Sequence, residues 1–172
     1  DAIVLDITLT IGSRLSVEGL FAALKHGGRA SVHVKVDTGM NRYGFAPQDV
    51  VAVIEELSGH ERVTVDGVYS HFSSADEIDP EPTNAQIAAF WSCVHALESR
   101  QLRPRYVHFA NSAGILTGKF QGTNLVRSGI ATFGLSPSDE VPVDERFRPV
   151  LSVKSVVARR GTLRAGAGVS YG

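Results

Sequence analysis

A chain of 172 residues has the length of one domain, and 43% hydrophobic against 20% charged residues supplies a core, which excludes disordered, collagen-like and coiled-coil readings. Seventeen basic and eighteen acidic residues leave a net charge of −1, so no electrostatic argument favours nucleic acid or an anionic membrane as partner. The lone Cys93 excludes a disulfide framework and a thiolate metal cluster, and it suits a reducing, cytoplasmic location. No stretch approaches the roughly 18–20 uninterrupted apolar residues of a membrane span. The N-terminus, with Asp1 and Asp6 and no basic start, does not read as a signal peptide. The chain lacks an initiator methionine and reads as a processed, cut or excerpted piece.

In chain order, Ile7–Ile11 is a short β-rich run. Val17, Leu20, Phe21 and Leu24 then repeat at i, i+3, i+4, i+7 and predict a first helix, with Ser13 or Ser16 as N-cap. After the β-rich run Ser31–Asp37 comes a second helix on Val50, Val53, Ile54 and Leu57, entered through Pro47 and capped by Asp49. The run Val63–Phe72 precedes a third helix on Ile87, Phe90, Trp91, Val94 and Leu97, with Thr83 or Asn84 as cap. Tyr106–Ala110 and Leu125–Arg127 are the last runs of this part. Strands alternating with one-striped helices imply parallel βα units, because a parallel pair needs a crossover. After Pro137 the character changes. Ser138–Arg148 is polar and turn-rich, Leu151–Ala158 alternates like a half-buried strand, and Leu163–Tyr171 is rich in Gly and Ala. The expected organisation is therefore residues 1–137 as one α/β unit, with 138–172 as linker and start of a second, β-type domain.

The strand faces carry more. Val32, Val34 and Val36 point one way, and His33, Lys35 and Asp37 the other. In a parallel βα barrel the valines meet the helices and the polar face lines the interior, where a lysine is costly unless its charge is paired or removed. An edge strand with one wet face is the alternative. Gly67, Tyr69 and His71, then His108, then Arg127 repeat the inward polar pattern. Polar groups at successive strand ends suit the top face of a barrel, where such folds keep their chemistry.

The segments V-K-V-D-T-G-M-N-R-Y-G-F (Val34–Phe45), G-V-Y-S-H-F-S-S-A-D-E (Gly67–Glu77), H-F-A-N-S-A-G (His108–Gly114) and R-S-G-I-A-T-F-G-L (Arg127–Leu135) resemble alanine racemase, in that family's order. V-S-Y-G (Val169–Gly172) resembles its approach to the C-terminal β domain. The resemblance implies a partial TIM-type barrel and an enzyme using pyridoxal 5'-phosphate (PLP). It further implies a homodimer that interconverts L- and D-alanine and supplies D-alanine for peptidoglycan. Phosphate sites in such barrels form in the late strand loops. Ser112 follows one late strand, and Gly129 and Ile130 offer backbone N–H groups after the next. Asn111 would orient that loop or reach the cofactor.

By the same resemblance Arg127 contacts the pyridine nitrogen, a structural ion pair being the alternative. An arginine there keeps the ring nitrogen unprotonated, which makes the ring a weaker electron sink. His71 would sit beside the ring and hydrogen-bond Arg127. Tyr69 and His108 read as interior packing and as groups that support the site residues from behind. Arg42 would reach the substrate carboxylate, where a planar fork suits bidentate binding. Lys35 invites reading as the Schiff-base lysine. The family instead carries a carbamylated lysine at this position, an anion able to hold Arg42.

Two of the family's segments have no match here: the one bearing its Schiff-base lysine and the one bearing its catalytic tyrosine, for which Tyr171 does not qualify. A full barrel alone needs about 250 residues. The chain thus reads as an internal fragment holding the later part of the barrel, inactive by itself. A racemase of serine or another amino acid is a close variant, and a non-catalytic PLP-binding barrel is a second class. A metal-dependent hydrolase using His71, His108 and Asp76 would lack paired ligand motifs such as H-x-H or H-E-x-x-H.

Overall fold

The computed structural model describes residues 1–169; Tyr171 and most of the V-S-Y-G segment lie outside the described residues. Four parallel strands lie side by side in chain order: β1 (Leu9–Ile11), β2 (Ala30–Lys35), β3 (Val63–Tyr69) and β4 (Tyr106–His108). Three crossover helices connect them: α1 (Arg14–Leu24), α2 (Val50–Ser58) and α3 (Glu81–Ser99). The short α4 (Ser112–Leu116) and a 3-10 turn at Ile130–Phe133 follow β4. The result is a contiguous part of a parallel (β/α) barrel.

The expected faces are realised. Val32, Val34 and Val36 are fully buried against helix residues such as Val53, Ile54, Leu57, Val94 and Leu97. His33, Tyr69 and His108 share the opposite face, and the His33 ring lies against Gly67 of β3. A Cβ at Gly67 would stand 2.6 Å from that ring, so only glycine lets the imidazole fit. Phe109, directly after β4, meets Phe90 edge-to-face at 5.2 Å and Phe72 at 5.0 Å, closing the core beneath the strand ends.

Both serines proposed for the α1 cap take part. Ser13 Oγ accepts from the Ser16 backbone N–H (3.2 Å), and Ser16 Oγ accepts from the Ser13 N–H (3.0 Å), a reciprocal capping box. Asp49 precedes α2 but makes no capping bond, because the 3-10 turn Pro47–Asp49 already starts the helix.

Three expectations are corrected. Helix α3 begins at Glu81, earlier than Thr83 or Asn84. Pro82 needs no N–H partner in the first turn, and Asp79 Oδ1 accepts from the Glu81 N–H (3.0 Å), while Thr83 is buried within the helix. Leu125–Arg127 is not a regular strand, although Asn124 and Arg127 donate to the Val107 and Ala110 carbonyls of the β4 segment. The Asn124 side chain occupies ladder groups of β4, accepting from Val107 N–H (2.9 Å) and donating to Arg105 O (2.6 Å). Leu151–Ala158 forms no strand either. Its apolar residues, Val153 at 90% exposure among them, have no pairing strand or packing partner among the described residues.

Replacing Phe90 by Ala is expected to lower unfolding free energy by about 3–5 kcal/mol, because it removes a fully buried ring packed edge-to-face on Phe109 and Trp91. The exposed Leu15→Ala on α1 should change it by less than about 0.5 kcal/mol in the same urea titration.

Candidate active site

The chemistry gathers where the strands end. After β2 the chain folds back on itself: Phe45 N–H donates to Lys35 O (2.9 Å) and Asp37 N–H to Phe45 O (2.8 Å). Asp37 organises the loop between. Its carboxylate accepts backbone N–H bonds from Gly39, Asn41 and Arg42 at 3.0–3.1 Å. Burial pushes that carboxyl up, but the three N–H groups and the Lys35 ammonium prevail and hold it below its ordinary range. Arg42 itself is exposed on this loop, and its side chain makes no hydrogen bond among the described residues.

Lys35 is buried at 5% exposure, with Nζ donating to Tyr43 O at 2.5 Å. Burial lowers its pKa; Asp37 opposes this, and the cations Arg42 and Arg127 add to it. The wet edge-strand alternative for this lysine is therefore discarded. Loss of a proton from this amine costs less than for a surface lysine.

Past β3 and β4, one guanidinium ties the strand ends together. Arg127 donates through Nη1 to His108 Nδ1 (2.5 Å), and through Nη2 to Ser70 O (2.8 Å) and His71 Nδ1 (3.0 Å). Its charge also lies over the Tyr69 ring at 4.9 Å, and that ring stacks on His108. An arginine only donates, so both imidazoles must present an unprotonated Nδ1. His108 Nε2–H then donates to His33 Nδ1 (2.9 Å), which assigns that tautomer as well. Both ring nitrogens of His108 are thus engaged, which leaves neither for the metal role weighed for His71, His108 and Asp76.

Burial and the nearby cations Arg127, Arg42 and Lys35 push His71 down to about 4. Burial, Arg127 and His33 push His108 down to about 3. The sequence reading places His108 among interior packing and supporting groups; the fold shows which group it supports, Arg127.

Ser112 opens α4, and its neighbour Asn111 caps that helix through Oδ1 to Gly114 N–H (3.0 Å). Ser112 Oγ accepts N–H bonds from Gly129 (2.9 Å) and Ala131 (3.2 Å), which leaves its own hydrogen to donate elsewhere. His71, Asn111, Ser112, Arg127, Gly129 and Ile130 line a single cleft of about 270 Å³, together with Asp76, Ala113 and Pro137. Arg42 and Lys35 stand outside its lining, close enough for their charges to depress His71.

Residues 1–137 match the model of the alanine racemase N-terminal domain. The chain belongs to the alanine racemase family. It is 39% identical over 167 residues to the alanine racemase of Desulfovibrio desulfuricans, covering 96% of this chain and 45% of that one. To the alanine racemase of Thermobifida fusca it is 39% identical over 176 residues, covering 100% and 47%. The chain thus spans a little under half the length of these curated relatives. Among solved structures it resembles the alanine racemase of Clostridium difficile 630 in complex with cycloserine, with TM-score 0.79 and 35% identity over 87% of this chain and 42% of that one. It also resembles the histidine racemase of Leuconostoc mesenteroides, with TM-score 0.72 and 29% identity over 83% and 38%.

The racemase-family site makes a pH prediction. His71 and His108 hold folded-state pKa values below the ordinary 6.5, so below pH 6.5 the unfolded chain takes protons that the folded chain refuses. Stability is fully present above about pH 6.5 and is lost as pH falls toward 4. Denaturant titrations across this window should show the fall, and His108→Gln should flatten it.

Proposed function

We propose that this chain carries the cofactor- and substrate-binding part of a PLP-dependent alanine racemase, a cytoplasmic homodimer supplying D-alanine for peptidoglycan. We take residues 1–137 as the later part of its barrel and 138–172 as the linker and start of a C-terminal β domain. The observation that carries the reading is the convergence of His71, Asn111, Ser112, Arg127, Gly129 and Ile130 on one cleft. Membership of the racemase family supports it. Among the described residues no helix is long and apolar enough to cross a membrane. The thiol of Cys93 is buried and pushed up to about 11 by desolvation, which keeps it unreactive.

The donor set fits the cofactor. Ser112 O–H, with the loop of Gly129 and Ile130 beside it, suits a phosphate; Asn111 supports that loop. Arg127 Nε has no partner among the described residues and suits an acceptor such as a pyridine nitrogen. The chemistry PLP supplies when bound is electron withdrawal from the substrate Cα. Arg127 moderates it, since a guanidinium does not give up a proton to the ring. His71 and Arg127 hold each other in register, and the Nδ1 that His71 presents to Arg127 leaves Nε2–H as its free donor. Arg42 binds the substrate carboxylate. We assign Lys35 as the carbamylated lysine: burial lowers its pKa and favours the neutral amine, whose lone pair attacks the carbon of carbon dioxide with release of a proton, and the resulting carbamate anion would steady Arg42.

Neither of the family's acid–base residues lies in the chain, so Cα deuterium exchange of alanine should be absent for the 172-residue chain alone. It should be present for a form carrying the lysine and tyrosine segments, with alanine exchanged faster than serine or histidine. Exchange by the 172-residue chain alone would overturn the assignment. The likeness to a histidine racemase favours a second reading, a racemase of another amino acid, and faster histidine exchange would establish it.

Lys35→Ala in the active form should raise KM about tenfold, the scale of one charge-assisted bond, while PLP stays bound. A 13C carbamate resonance after labelling with 13C-bicarbonate should disappear with it.

A further inference from the structure

Gln86 is a buried amide on the core-facing side of α3, exposed by only 4%. An amide in such a place is costly unless its hydrogen-bonding capacity is filled, and here both ends are doubly used. Oε1 accepts from the Ser73 N–H (3.0 Å) and Ser73 hydroxyl (3.1 Å). Nε2 donates to His71 O (3.1 Å) and Thr38 Oγ1 (3.3 Å). The orientation is forced, because a backbone N–H can only donate and a carbonyl can only accept.

None of these partners belongs to the helix that carries Gln86. They come from the two loops that carry the site. Thr38 also pairs with Ser70 Oγ at 2.7 Å, and the Ser70 carbonyl is held by Arg127. Thr38 adjoins Asp37, whose carboxylate fixes the backbone of Arg42. Gly39, at φ +140°, packs on the Gln86 stem, where an added Cβ would stand 3.4 Å from Cγ.

We propose that Gln86 is a positioning residue whose amide sets the spacing between the Asp37–Arg42 loop and the strand end bearing His71. It touches neither reacting group and acts through Thr38 and the His71 carbonyl. Its kinetic consequence rests on the racemase reading; its structural consequence does not.

The test compares Gln86→Met and Gln86→Glu with wild type in the intact protein, by amide hydrogen exchange and steady-state kinetics. Gln86→Met should speed exchange at Gly39, Asn41, Arg42 and Ser73 about tenfold, the scale of one net hydrogen bond, with Phe90–Leu97 unchanged. KM for the amino acid should rise about tenfold while kcat stays within about threefold. Gln86→Glu keeps the acceptor, so Ser73 should stay protected while Gly39 to Arg42 lose protection. Its KM should fall back toward wild type as the pH is lowered and the introduced carboxyl regains a donor. Wild-type exchange in the 39–42 loop and wild-type KM in both variants would overturn the proposal. Equal loss of protection along α3 would do the same, assigning Gln86 to helix packing. If the wild-type protein racemises no alanine, the functional reading fails and the exchange pattern alone decides the positioning claim.

Discussion

The Arg127 guanidinium reaches across two strand ends and meets no carboxylate among the described residues. Its partners are two imidazoles, backbone carbonyls and the face of Tyr69, all neutral acceptors. Removing a cation from water is expensive, and neutral acceptors offset only part of that cost. What they supply is direction. Each acceptor is fixed by the sheet, so the guanidinium plane is fixed, and the tautomers of His33, His71 and His108 follow from a group that can only donate. The strand ends and the cation therefore define each other: the site's order is a property of the sheet's register rather than of any one loop.

The loop after β2 solves a different problem with an anion. Asp37 gathers three N–H groups that would otherwise point into the turn, and Gly39 and Asn41 take positive φ angles to present them. Arg42 leaves this nest with its backbone held and its side chain free. Lys35 stands beneath, buried beside cations. Two neighbouring loops are thus ordered by charges of opposite sign, and Gln86, a neutral amide, joins them without adding charge to either.

Much of this was legible in the residues. The 3.6-residue spacing of Val50, Val53, Ile54 and Leu57 and the alternation of Val32, Val34 and Val36 each depend on one local period, and both appear where expected. Motif order located the residues around the cleft, because His71, Asn111 and Ser112 each come shortly after a strand end and Arg127 lies on a segment bonded alongside β4. What escaped depends on long-range pairing. Nothing near Asn124 announces that its side chain will substitute for a ladder bond, and nothing near Leu151 says whether a pairing strand is at hand. Gln86 sits between apolar positions of α3 and reads as a lapse in the stripe; its partners are 13 to 48 residues away. His108 is likewise 19 residues from Arg127, and no spacing rule joins them.

The electrostatic balance of the site follows from these pieces taken together. Burial, then Arg127, Arg42 and Lys35, lower the affinity of His71 for a proton, and among the described residues no carboxylate contacts the Arg127 guanidinium. The cleft lining itself holds Arg127 and the Asp76 carboxylate, and Lys35 and Arg42 add positive charge beside it, so its Arg127 side favours anionic groups such as a phosphate or a carboxylate. Burial first, and the neighbouring cations after it, make a further proton on His71 or His108 unwelcome, so the imidazoles stay neutral and act as acceptors towards Arg127. A carbamate on Lys35 would remove one cation and add one anion where burial already weakens the ammonium. The remaining positive charge would then stand at Arg127 and Arg42, the two positions at which the reading needs it.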